Sequence, residues 1–99
     1  MGFKDVRTLL IDALESGRYQ HEYRKDMESK NLLAVGEVGP EFVVSLLRRC
    51  GGAQYRASSH HFDAGVLCHQ FTPRVDGEGW YVKAYFLACD AVFISVHRS

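Results

Sequence analysis

Apolar residues recur at helical spacing in the first half of the chain and alternate with polar ones in the second. Over residues 5–16, DVRTLLIDALES, the stripe Val6, Leu9, Leu10, Ala13 and Leu14 predicts an amphipathic helix, and Gly17 supplies its terminator. Arg18 to Arg24 alternates, with Tyr19, His21 and Tyr23 opposite Arg18, Gln20, Glu22 and Arg24, the pattern of a short strand or extended arm. KDMESKNLLAVG returns to helix formers and predicts a short helix opening near Asp26 and closing at Gly36. Gly39-Pro40 opens another helix, with Phe42, Val43, Leu46, Leu47 and Cys50 as its buried face. Arg48 and Arg49 suit the negative end of its dipole, and Gly51-Gly52 stops it.

After Gly52 the segments QYRASS, VLCHQFT, GWYVKAYFLA and AVFISVHR are rich in β-branched and aromatic residues, with HHFDAG, PRVDGEG and CD between them as turns. Helices first and strands later predict an α+β fold, N-terminal helices (about residues 1–51) on one face of a C-terminal antiparallel β-meander (about 53–98). Strand parity then sorts side chains by face. Trp80, Val82, Ala84, Phe86 and Ala88 form a wholly apolar face for the helices, opposite Tyr81, Lys83, Tyr85 and Leu87. In the last strand Val92, Ile94 and Val96 read as core, opposite Phe93, Ser95 and His97. The polar face is therefore expected to gather Tyr81, Lys83, Tyr85 and His97, with Arg56 and either His60 or His69. A cation, two phenols and imidazoles suit a phosphodiester and a stacked base.

Composition narrows this picture. The 99 residues, 46% hydrophobic and 12% aromatic, predict one folded domain. No apolar run approaches the roughly 20 residues that cross a bilayer, and the acidic residues within the N-terminal pattern are unlike a signal peptide, so a cytoplasmic location and no membrane partner are expected. Lys plus Arg number 12 against 12 Asp plus Glu, so an RNA-binding reading must rest on local arrangement rather than bulk charge. Cys50, Cys68 and Cys89 are far apart in apolar sequence and lack Cys-x-x-Cys spacing, the pattern of buried reduced thiols. His60, His61, Asp63 and His69 suggest a metal set, but their spacing matches no ligand pattern with a known logic, and neither metal nor other cofactor is expected.

Four short segments occur in the order and at the spacing found in one known family. QYRAS resembles a Tyr-Lys-Ser segment after the long helix, FTPR a Tyr-x-Pro-Arg, GWYVKAYF a Gly-x-x-Tyr-Leu-Lys strand, and FISVHRS a closing Ile-Val-Ser-Phe-Lys-Glu. The chain thus resembles the MqsR-type members of the RelE-like mRNA interferases, toxins of bacterial toxin–antitoxin pairs with a microbial-RNase-like fold. The resemblance implies a metal-independent endoribonuclease that cleaves mRNA by attack of the ribose 2′-OH on the adjacent phosphate, with a cognate antitoxin as partner and association with the ribosome. It places Arg56 at a catalytic lysine, Tyr81 at the catalytic tyrosine, Lys83 at a lysine of the same strand, and His97 at a lysine near the C-terminus. Imidazole suits acid or base work at neutral pH better than an amine, so His97 and His69 are the expected proton carriers, with Tyr85, His60 and Arg74 binding substrate. The family glutamine aligns with Cys68, with His69 and Gln70 beside it. The alternative is a catalytically inactive member of the same fold that binds protein or RNA.

Overall fold

A computed structural model describes residues 2–60, 62–88 and 90–99. His61 and Cys89 lie outside the described residues, and with them the expectations attached to them. Helix α1 runs Phe3–Ser16, β1 Tyr19–His21, α2 Met27–Lys30 and α3 Pro40–Arg48. After a 3-10 turn at Gly52–Gln54 come β2 Tyr55–Ser59, β3 Leu67–Phe71, β4 Arg74–Val75, β5 Glu78–Leu87 and β6 Asp90–Arg98.

Helix α1 ends where Gly17 takes a left-handed φ of 77°, which a glycine adopts without a Cβ clash. Its buried stripe is Val6, Leu10, Ile11, Ala13 and Leu14. Ile11 fills the place expected for Leu9, whose side chain points to solvent. Proline at the first turn of α3 lacks only an N–H that would be unpaired there, and the helix buries Val43, Val44, Leu46 and Leu47. Phe42 sits at the margin, its ring edge-on to Trp80 at 4.9 Å. The helix expected from Asp26 to Gly36 is only the four residues of α2. Asn31 ends it, because its backbone turns to pair with β6.

The strands are ordered β1-β6-β5-β3-β2, with β4 folded back on β5. Strands β2, β3, β5 and β6 make the expected antiparallel run, but β1 joins the outer edge of β6 in parallel, so the sheet is mixed rather than an antiparallel meander. The β4–β5 hairpin turns through Asp76 and Gly77, with φ of 53° and 80°, the left-handed pair that follows the twist of its strands. Helices α1 and α3 cover one face, where Leu10, Leu46, Leu47, Phe71, Val82 and Phe93 are fully buried in a common core. Each such side chain contributes about 1.5–3 kcal/mol relative to exposure.

The parity of β5 is as expected, but that of β6 is not. Lys83 pairs with Ser95 while Ala84 pairs with Phe93, so Ile94 is an extra, bulged residue. One inserted residue exchanges the two faces for everything on one side of it. Ala91 and Phe93, not Val92 and Ile94, therefore join Val96 in the core beneath the helices. Asn31, 0% exposed, secures this irregularity: its Nδ2 donates to the Phe93 carbonyl at 3.3 Å, and its Oδ1 accepts the Ala34 N–H at 3.1 Å. The chain from Glu22 to Lys30 bows away from β6 and returns at Leu32, whose N–H donates to the Val96 carbonyl at 2.7 Å.

Candidate functional site

Residues facing each other across a ladder share a face of the sheet. Arg56 pairs with Gln70, Gln70 with Lys83, and Lys83 with Ser95, so a polar row crosses four strands on the face away from the helices. Tyr81 and His97 form the next row, with ring centroids 5.3 Å apart. Arg74 pairs with Gly79 one row further out, and its Nη2 donates to the Gly77 carbonyl at 2.6 Å. Cys68 shares this face by alternation from Gln70, and is fully buried. Its thiol is pushed up, by burial foremost and by the Glu22 charge, against opposing effects of Lys83 and Arg24.

The bowed segment lies across this face. Between the two is a cleft of about 330 Å³ lined by Arg24, Lys25, Asp26, Lys30, Tyr81, Lys83, Ile94 and Ser95. The side chains of Lys25, Lys30 and Lys83 make no hydrogen bond or ion pair among the described residues, so the cleft presents three uncommitted ammonium groups against one carboxylate. Burial first, and Cys68 second, push the Tyr81 phenol up, with Arg56 opposing; at neutral pH it is a hydrogen-bond donor. His97 Nδ1 lies 2.8 Å from the Arg98 carbonyl, an acceptor only, so Nδ1 carries hydrogen and the lone pair of the neutral ring is on Nε2.

Glu22 anchors one end of the cleft wall. Its Oε1 accepts from His60 Nε2 at 2.7 Å and from the Tyr85 hydroxyl at 3.0 Å, while its Oε2 takes both Nε and Nη2 of Arg24. His60 Nδ1 accepts the Phe62 N–H at 3.0 Å, so the ring proton is on Nε2, donated to Glu22. Burial acts to raise the Glu22 pKa, but the hydrogen bonds from Arg24, His60 and Tyr85 and the Arg24 charge outweigh it, leaving the carboxyl below its ordinary value.

Of the residues singled out from sequence, Arg56, Tyr81, Lys83 and His97 are together on the polar face, Arg74 is at its rim, and Tyr85 and His60 are committed to Glu22 at one end. His69 is apart from them. It pairs with Ala84 and Ala57 on the helix side, is 4% exposed, and bonds the Tyr55 hydroxyl through Nδ1 at 2.7 Å. Burial foremost holds its pKa below the ordinary histidine value. His60, Asp63 and His69 do not converge either: Asp63 Oδ1 accepts the Gly65 N–H, and no group of three or more His, Cys, Asp or Glu among the described residues is placed to hold a metal ion. Sequence reasoning missed Glu22, Lys25 and Lys30, because an arm leaving a strand edge gives no periodic sign of the face it crosses. Gln70 and Ser95 were readable from parity once the register was known.

No helix among the described residues is long and apolar enough to cross a membrane. No protein-family model matches the chain, and no curated protein matches it.

Proposed function

We propose that the cleft and the row beside it form the site of a metal-independent endoribonuclease. The observation that carries this reading is the convergence of Lys83, Tyr81, His97 and Arg56 on one sheet face, beside a wall that adds Lys25 and Lys30. Cleavage by the 2′-OH needs a group to take its proton, one to protonate the leaving 5′ oxygen, and cations for the extra charge on phosphorus. In this reading His97 Nε2 takes the 2′ proton, and Lys83 and Arg56 hold the nonbridging oxygens. The Tyr81 hydroxyl gives its proton to the leaving 5′ oxygen and takes back the proton that the neighbouring His97 ring removed from the 2′-OH. Lys25 and Lys30 guide the flanking backbone. Those lysines also answer the neutral net charge, since an anion meets the local field of the cleft rather than the total. The family resemblance points the same way, and with it to a small antitoxin as natural partner.

The test is incubation of purified protein with a mixed-sequence single-stranded RNA in EDTA, with analysis of the ends. Fragments bearing 2′,3′-cyclic phosphate and 5′-hydroxyl ends are expected, and His97→Ala and Lys83→Met should abolish them. Intact RNA, or cleavage unchanged in both variants, overturns the reading. RNA that is bound but not cut selects the non-catalytic alternative on the same fold.

A further inference from the structure

Strand β2 is the outer strand at the end of the sheet opposite β1 and, among the described residues, pairs only with β3. Its ladder has a fixed phase: Thr72 N–H bonds the Gln54 carbonyl at 2.9 Å and His60 N–H bonds the Val66 carbonyl at 2.8 Å. Even-numbered residues therefore turn their backbone groups toward β3. The N–H and C=O of Ala57 and Ser59 and the C=O of Tyr55 point outward, the Tyr55 N–H being taken by the Gly52 carbonyl of the 3-10 turn. Natural sheets blunt such an edge with proline, a bulge or inward charge. Here the register with β3 is unbroken, the strand has no proline, and Ala57 and Ser59 are exposed. The β6 edge, by contrast, is covered by β1 and Asn31.

We infer that β2 is an interface for a second copy of this chain, joined antiparallel about a two-fold axis through Ala57. The outward groups are evenly spaced about Ala57, so the edge is complementary to itself. Ala57 pairs with Ala57 of the other copy by a two-way backbone exchange, and the Ser59 N–H of each copy donates to the Tyr55 carbonyl of the other. Side chains agree with this register. Arg56, the single charge in the strand, falls opposite Ser58 rather than opposite its own copy, and two small alanines meet at the axis. An axis normal to the sheet leaves both polar faces on the same side. The row ending in Arg56 then continues into Ser58 of the other copy one strand spacing away, about 4.8 Å. Two clefts come to share one uninterrupted polar surface, long enough for one extended anionic strand to cross both. Pairing of one short edge buries less than the roughly 1,200 Å² of a stable complex, so the dimer exchanges quickly with monomer.

Sedimentation equilibrium from micromolar to millimolar protein tests this, together with Ala57→Lys and Ala57→Asp, which place like charges opposite each other at the axis. The wild type should rise toward twice its 11.2 kDa mass. Each variant should stay monomeric with an unchanged circular dichroism spectrum, and an equimolar mixture of the two should regain the doubled mass. Amide exchange on the wild type is an independent reading: Ala57 and Ser59 should slow as concentration rises, while Arg56 and Ser58 do not change. A monomer at millimolar concentration, a dimer that persists in both charge variants, or concentration-independent exchange at the Ala57 and Ser59 amides overturns the proposal. All these outcomes are independent of RNA cleavage.

Discussion

The Tyr85 hydroxyl donates to Glu22 Oε1 at 3.0 Å, tying a central strand to an arm 63 residues earlier in the chain. Through this bond and those from His60 and Arg24, one carboxylate fixes the start of the cleft wall to the sheet it overhangs.

Glu22→Ala leaves Arg24, His60 and Tyr85 without their shared acceptor, with Glu22 itself only 19% exposed. Hydrogen bonds to a charged group are worth about 1.5–3 kcal/mol, so urea denaturation should show a loss of that order. Tyr85→Phe removes only one of the three charge-assisted partners and should cost about 1.5 kcal/mol, the low end of that range. Equal effects of the two variants would deny Glu22 its central place.

Stability should fall in two steps as the pH is lowered. Burial lowers the pKa of His21 and His69 in the fold, so the unfolded chain takes up protons first, from its ordinary value of 6.5 downward, and stability declines there. The Glu22 carboxyl is also lowered, so its contribution is complete above the ordinary 4.5 and is lost as pH falls through the folded value. A pH series of urea midpoints tests both steps, and Glu22→Gln should flatten the lower one alone.

Phe93→Ala should cost about 3–5 kcal/mol, the range for deleting a fully buried aromatic ring. The ring is 0% exposed and stands edge-on to Tyr19 at 6.0 Å. A loss below 1 kcal/mol would return Phe93 to the polar face, where uninterrupted alternation had placed it.

RNA affinity should fall log-linearly with salt, and Lys30→Ala and Lys83→Ala should each reduce the slope by about 0.7. Fluorescence anisotropy with a labelled single strand measures this; slopes unchanged in both variants would place the phosphate path elsewhere. In cleavage, His97→Ala should lower the rate by about 10²–10⁴. His69→Gln, a change within the helix-side packing, should act on stability and leave kcat in place.

The helix stripes, the strand sequence and the parity of β5 were legible because each follows from a local period: Leu10 and Leu14 one turn apart, Trp80 and Val82 two residues apart. The errors in parity and topology came from contacts that the periods do not encode. Ile94 continues the alternation of β6 in sequence, but Asn31 and Glu22 both bond the Phe93 carbonyl and hold the bulge that reverses it. The parallel placement of β1 is equally invisible, since Tyr19–His21 has no apolar run to name its neighbour. Lys25 and Lys30 were illegible for the same reason, whereas the shared face of Arg56, Tyr81, Lys83 and His97 was legible because they sit on regular ladder positions.

The pairing of Tyr19 with Ala91 and of Gln20 with Val92 also constrains when the cleft can exist. The arm has no partner strand until β6 is in place, so its docking closes one of the longest loops in the molecule. Helices and hairpins can form from neighbours in sequence, so the wall bearing Lys25 and Lys30 is expected to close after them. In pulse-labelled hydrogen exchange the Glu22 amide, bonded to the Phe93 carbonyl, should gain protection after the β5–β6 ladder. That order of protection would mean that the polar face is assembled before it is partly roofed.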